Sequence, residues 1–174
     1  MTARSGTALD LPAGSPLRAF DKPTLVVLLR SFGCTFCREA MADVAKVKAS
    51  IRQAGADVAF VHSESSDEAD PWFAKYGLED VLHVSDPTLA HYRAFGLGRT
   101  AATALIDLTV WRRGAASALA HGFGVQTTEM MRRQPGVFLV HGDRVLAEYR
   151  HRTPADRPDY LALVRARSAE TAGA

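Results

Sequence analysis

Residues 24–55 read TLVVLLRSFGCTFCREAMADVAKVKASIRQAG, and the order of signals in this stretch decides the fold. The run 24–30 is continuously apolar and β-branched after Pro23, the pattern of a strand buried on both faces in a parallel arrangement. From Cys37 the spacing changes to Met41, Val44, Ala45, Val47 and Ile51, three or four apart, and stops at Gly55. That predicts an amphipathic helix with a glycine stop. Both cysteines of the chain, Cys34 and Cys37, lie at the junction. Chance would place two cysteines three positions apart in a chain of this length only about one time in a hundred.

Working outward, DVAFVH (57–62) reads as a second short strand and VLHV (81–84) as a third. Between them, DPWFAKYG predicts a helix with Asp70 as N-cap, Pro71 at its first position and Gly77 as its stop. DPTLAHYRAFG repeats that punctuation with Asp86, Pro87 and Gly96. Structural capping, not acidic chemistry, is the reading of both aspartates. Residues from Leu97 to Gln134 break the rhythm with an alanine-rich helical pattern near 100–112, a glycine-bearing stretch, and a helix near 127–133. This looks like an insertion whose apolar residues, among them Leu105, Ile106, Leu108, Val110 and Trp111, complete the core, line a groove for an organic substrate or form a partner surface. GVFLVHGDRVLAEYR then reads as an antiparallel hairpin turning at Gly142-Asp143, followed by a helix from DRPDYLALVRAR. The expected division is an N-terminal arm or loosely paired edge segment at 1–20, one domain at 21–166 with its insertion at about 98–134, and a flexible tail at 167–174. The fold class is α/β, a central mixed sheet with helices on both faces.

Composition narrows the function. The chain has 174 residues, 47% hydrophobic and 23% charged, enough for one domain with a real core. A net charge of +2, with arginines scattered as Arg112-Arg113, Arg132-Arg133, Arg150, Arg152 and Arg157, is too diffuse for nucleic acid. The first twenty residues lack a signal-peptide pattern and no run is long enough to span a membrane, so the expectation is a cytoplasmic protein without a membrane partner. Zinc would need four ligands, whereas His62, His83, His91, His121, His141 and His151 are scattered, so no metal and no cofactor is expected. HGFG in the insertion does not follow a strand into a helix as a phosphate loop would.

What remains is a dithiol. Cys34 leaves the strand and Cys37 enters the first helical turn, where unpaired N–H groups and the positive helix end favour a thiolate and lower the Cys34 pKa. The spacing brings the two sulfurs within bonding distance with Cys34 the exposed, attacking thiol and Cys37 the resolving one. Arg30 at the strand end and Arg38 in the first helical turn either add positive potential there or face solvent.

RSFGCTFCREA (30–40), VLHVSDPTLAHYRAFGL (81–97), RQPGVFLVHGDRVLAEYRH (133–151) and DRPDYLAL (156–163) carry a resemblance to peroxiredoxin-like proteins of the alkyl hydroperoxide reductase/thiol-specific antioxidant family, in the thioredoxin-fold superfamily. The nearer likeness is to the selenoprotein U-like branch. It implies a thioredoxin-like fold and a thiol-dependent antioxidant oxidoreductase acting on a peroxide or disulfide. An external thiol reductant of the thioredoxin type would restore it, and homo-oligomers are left open. It also implies that Pro135 is the cis-proline beside the attacking cysteine. Two departures stand out. True peroxiredoxins have Pro-x-x-x-Thr/Ser-x-x-Cys; here Ser31 keeps the hydroxyl, to bond the thiolate or the reacting oxygen, but Val27 replaces the proline. The place of their peroxide-polarising arginine is taken by Pro135, with Arg132 and Arg133 as the nearest replacements. Thr35 and Phe36 either shape the mouth of the site or pack the helix start. The alternative to catalysis is a redox-responsive binding protein on the same scaffold.

Overall fold

The computed structural model describes residues 7–99, 108–122, 124, 129 and 132–171. Its centre is β1 (Thr24–Leu28), which pairs in parallel with β2 (Asp57–His62) and antiparallel with β4 (Gly136–His141). β3 (Leu82–Ser85) runs parallel to β2, and β5 (Arg144–Arg150) closes the hairpin with β4, giving the order β3-β2-β1-β4-β5. All of β1 is buried because both its faces are covered, and the two-residue alternation of a strand divides the core in two. Leu25, Val58, Phe60, Val137 and Leu139 face one cluster with Met41, Val44, Phe73 and Leu163. Val26, Leu28, Ala59, Val61, Phe138 and Val140 face the other, with Leu9, Leu17, Tyr92 and Phe95. The fold is thioredoxin-like.

The helices follow from local signals. α1 (Thr35–Gln53) has Cys34 as N-cap and ends where Gly55 takes φ +82, a value a glycine adopts freely. α2 (Ser66–Lys75) begins earlier than the Asp70-Pro71 punctuation predicts. Ser65 accepts from Glu68 N–H while the Glu68 carboxylate accepts from Ser65 N–H, a capping box that outcompetes the later signal. Pro71 therefore sits inside the helix, on an exposed face where the carbonyl it leaves unpaired reaches solvent. β3 is shifted one residue from the expected 81–84.

α3 (Ala90–Ala94) also starts later than expected, after Leu89 in a left-handed conformation at φ 58. The Asp86 carboxylate still caps it, accepting from the N–H groups of Ala90 (2.8 Å), His91 (2.9 Å) and Tyr92 (3.3 Å). Asp86 is buried, so alanine there strands three donors. Asp86→Ala should lower the unfolding free energy by about 2 kcal/mol, seen as a lower urea midpoint at unchanged slope.

α4 (Leu108–His121) runs unbroken through Gly114 and packs on α1, taking in most of the glycine-bearing stretch. Leu105 and Ile106 lie outside the described residues, as does most of the helix expected near 127–133. α5 (Tyr160–Thr171) packs on α1, β4 and β5 and continues past residue 166. At the other end, Leu9 N–H donates to Asp143 O and Val145 N–H to Thr7 O, so this segment pairs on the β5 edge while Leu9, Leu11 and Leu17 are buried.

Candidate active site

β1 delivers Arg30 and Ser31 to its carboxyl end, and α1 begins four residues later, so both cysteines meet where the central strand stops. Both are free thiols and both are buried. The Arg30 guanidinium, itself buried, donates to Cys34 Sγ at 2.8 Å, and the Arg30 backbone N–H donates to Cys37 Sγ at 3.3 Å. A hydrogen bond from the Cys37 thiol, then the Arg30 charge, overcome burial and bring Cys34 from an ordinary 9.0 down to about 5. Cys37 moves well upward, because its proton is held by the Cys34 thiolate and burial disfavours its own charge. From the helix end, the Cys37 N–H also lowers Cys34, behind the Cys37 thiol and the Arg30 charge.

Cys34 is only 1% exposed, against the expectation of an exposed outer thiol. The reason is long-range. Ser117 Oγ of α4 donates to Thr35 O at 3.3 Å, and Gly124 N–H donates to Gly33 O at 3.2 Å, so the insertion lies over the dithiol turn. Gly124 approaches so closely that a Cβ there would stand 2.9 Å from Gly33 Cα. Arg38 neither faces solvent nor is seen to bond a sulfur. Its guanidinium donates to Phe32 O (2.6 Å) and His121 O (3.1 Å) and lies 4.3 Å over the Trp72 ring, fastening the dithiol turn to the insertion.

Ser31 is buried with its Oγ unpartnered, so the expected bond to the thiolate is not made. Thr35 belongs to the α1–α4 contact, and Phe36 lines a small cavity beside Cys37. Pro135 is buried and lines the same cavity, but its peptide bond is trans, as every described peptide bond is. Trans is the default for X-Pro, and here Pro135 O accepts from His151 N–H at 3.3 Å, prolonging the hairpin ladder. Arg132 is exposed and Arg133 half-buried. Among the described residues no cluster of three His, Cys, Asp or Glu is placed to hold a metal, and no helix is long and apolar enough to cross a membrane. Sequence reasoning missed His151, which faces the cavity with Cys37; only its place just after the second hairpin strand could have flagged it.

The protein-family model described as Redoxin matches residues 15–109. No curated protein matches the chain in sequence. Among solved structures, reduced Prx3 from Vibrio vulnificus is similar at TM-score 0.63 and 15% identity over 98% of this chain and 99% of that one. Peroxidoxin BcpB from Mycobacterium tuberculosis follows at 0.53 and 19%, over 95% and 98%. The bacterioferritin comigratory protein of Xanthomonas campestris gives 0.55 and 19%, over 96% and 98%. At these identities the likeness establishes the fold.

Proposed function

The chain belongs to the Redoxin family, and on that premise we propose that it is a thiol-dependent antioxidant oxidoreductase that cycles Cys34 and Cys37 between dithiol and disulfide. The observation that carries the reading is the buried Arg30–Cys34 contact at 2.8 Å beside a resolving thiol. The Cys34 thiolate attacks a peroxide oxygen, expelling an alcohol or water and becoming a sulfenic acid; Cys37 displaces its hydroxyl as water and closes the disulfide. With a disulfide substrate the same attack expels one thiolate and Cys37 expels the second. An external dithiol of the thioredoxin type then reduces the protein.

Two features favour a small peroxide over a protein disulfide. Burial of Cys34 under the insertion shields it from a bulky partner, and Arg30 supplies from the end of β1 the guanidinium that the family motif leads one to seek just before the hairpin. The solved peroxiredoxins of like fold, one described for alkyl peroxide reduction, support that direction. Val27 in the motif's proline position and the unpartnered Ser31 mark this site as a variant of the peroxiredoxin pattern. The quoted stretches around the dithiol and hairpin support the selenoprotein U-like branch, and a dithiol that cycles fits the reducing cytoplasm.

The test is turnover. Reduced protein given hydrogen peroxide and a thioredoxin-type reductant should consume many equivalents of peroxide, with thiol loss well above the rate of free cysteine. Consumption of one equivalent, at the rate of free cysteine, would instead make the dithiol a sensor.

A further inference from the structure

The two redox states of this dithiol treat Arg30 differently. In the reduced protein its guanidinium, buried at the end of β1, donates to Cys34 Sγ at 2.8 Å, while its backbone N–H donates to Cys37 Sγ at 3.3 Å. A disulfide carries no charge. Once Cys34 Sγ bonds to Cys37 Sγ the anion is gone and the cation stays behind in its buried place, and taking the counter-charge from a buried ion is costly.

We propose, on the dithiol reading above, that the Arg30–Cys34 contact makes the Cys34–Cys37 disulfide strongly oxidising, so that a plain monothiol has the driving force to return it to the dithiol. A first thiolate bonds to one protein sulfur and expels the other. A second thiolate then bonds to the sulfur of the first, releasing it as a small disulfide and expelling the remaining protein sulfur. In sum, the protein disulfide and two molecules of monothiol give the Cys34 thiolate, the Cys37 thiol, one small disulfide and one proton. Stabilising the reduced form raises the potential of such a couple. A thioredoxin-type dithiol reduces it as well; the contact removes the need for a second, linked thiol.

Among the described residues, the groups that face the pair from neighbouring elements leave this pairing to Arg30. Arg38, in α1, and Glu64, just beyond β2, are turned to the Phe32 carbonyl (2.6 Å) and N–H (3.2 Å). Tyr92 from α3 and Tyr160 from α5 are held protonated by burial. His151, beyond β5, is lowered to about 4 by burial foremost and then by the Arg30 charge, so it is neutral near pH 7. The α4 cover brings Ser117, which donates to Thr35 O. Cys34 therefore stays ionised down to about 5 while Cys37, moved well upward, keeps its proton. The reduced protein holds one proton where two molecules of an ordinary thiol hold two.

Equilibration in buffers of reduced and oxidised glutathione, followed by acid quenching, alkylation and mass spectrometry, gives the equilibrium constant for reduction. At pH 7 the parent's constant should exceed that of thioredoxin in the same buffers by about tenfold or more. It should also rise about tenfold per pH unit between about pH 6 and 8, because each reduction releases a proton. In Arg30→Met the constant should fall by at least about tenfold, or about 30 mV for a two-electron couple, since the variant loses the cation that favours the thiolate and burdens the disulfide. An unchanged constant in Arg30→Met, or a parent no easier to reduce than thioredoxin, overturns the proposal. Should the variant not fold, the parent's pH slope decides: a constant that stays level over that range overturns it too. Failure of the dithiol reading looks different, since peroxide-treated parent would then show no loss of two hydrogens from the peptide that carries both cysteines.

Discussion

Cys34→Ser should lose peroxide turnover by at least about a thousandfold, the scale on which removal of a nucleophile acts. Serine presents a hydroxyl whose ionised form is inaccessible near neutrality, so the Arg30 guanidinium has no anion to hold. Cys37→Ser should behave differently. Its hydroxyl can still donate to the Cys34 thiolate, the interaction that leads in holding Cys34 at about 5, so the first attack should persist at a rate near the parent's. The reaction then stops. Acid quenching and mass spectrometry should find a sulfenic acid, or a mixed disulfide when a disulfide is supplied, and no intramolecular disulfide. Turnover retained in Cys34→Ser, or an accumulated sulfenic acid on Cys37 in its place, would reverse the assignment of the two thiols.

The asymmetry between the cysteines was legible in sequence because it depends on neighbours along the chain: a buried strand, a turn, and a helix that begins at Thr35. The sheet was legible for the same reason. β1 and β2 are short continuous apolar runs, and β4 and β5 are joined by a glycine turn. Two competing local signals account for the misplaced start of α2. Asp70-Pro71 fits a helix start on its own, but Ser65 and Glu68 form a reciprocal box five residues earlier, and the helix that box begins runs on through Pro71 at its exposed face.

What the sequence could not show is tertiary. The cover over Cys34 comes from α4 and Gly124, more than seventy residues away in the chain, through one side-chain and one backbone hydrogen bond that no spacing pattern encodes. Arg38 looks like a cation for the sulfur because it stands one residue past Cys37, yet its helical position turns it toward Phe32 O and the insertion. Pro135 shares the small cavity with Cys37, and its peptide bond is trans where the family resemblance implied cis. His151 was one of six histidines with nothing local to distinguish it; the hairpin register and the packing of α5 together bring it to Cys37.

Arg30→Met should slow the first attack about a hundredfold at pH 7, the usual cost of removing a charged donor from a developing or resident anion. Methionine keeps an unbranched apolar stem and removes both the charge and the 2.8 Å hydrogen bond. With the cation gone, burial acts against the thiolate unopposed except by Cys37, and the Cys34 midpoint should move from about 5 back toward 9.0. The sign is fixed by which form reacts. In the parent the rate should be flat at neutral pH and fall as pH drops through about 5, where the thiolate is lost. In Arg30→Met it should still be rising through neutrality, about tenfold per pH unit until the new midpoint. Arg30→Lys should recover part of the shift, since an ammonium restores the charge without the guanidinium geometry. The fold should suffer less than the rate, because the variant removes a buried cation and Cys34 can take up a proton and become neutral. Absorbance of the thiolate followed across pH measures the midpoint directly. An unchanged midpoint in Arg30→Met would mean that the Cys37 hydrogen bond alone sustains the thiolate, and that Arg30 serves only to hold the turn.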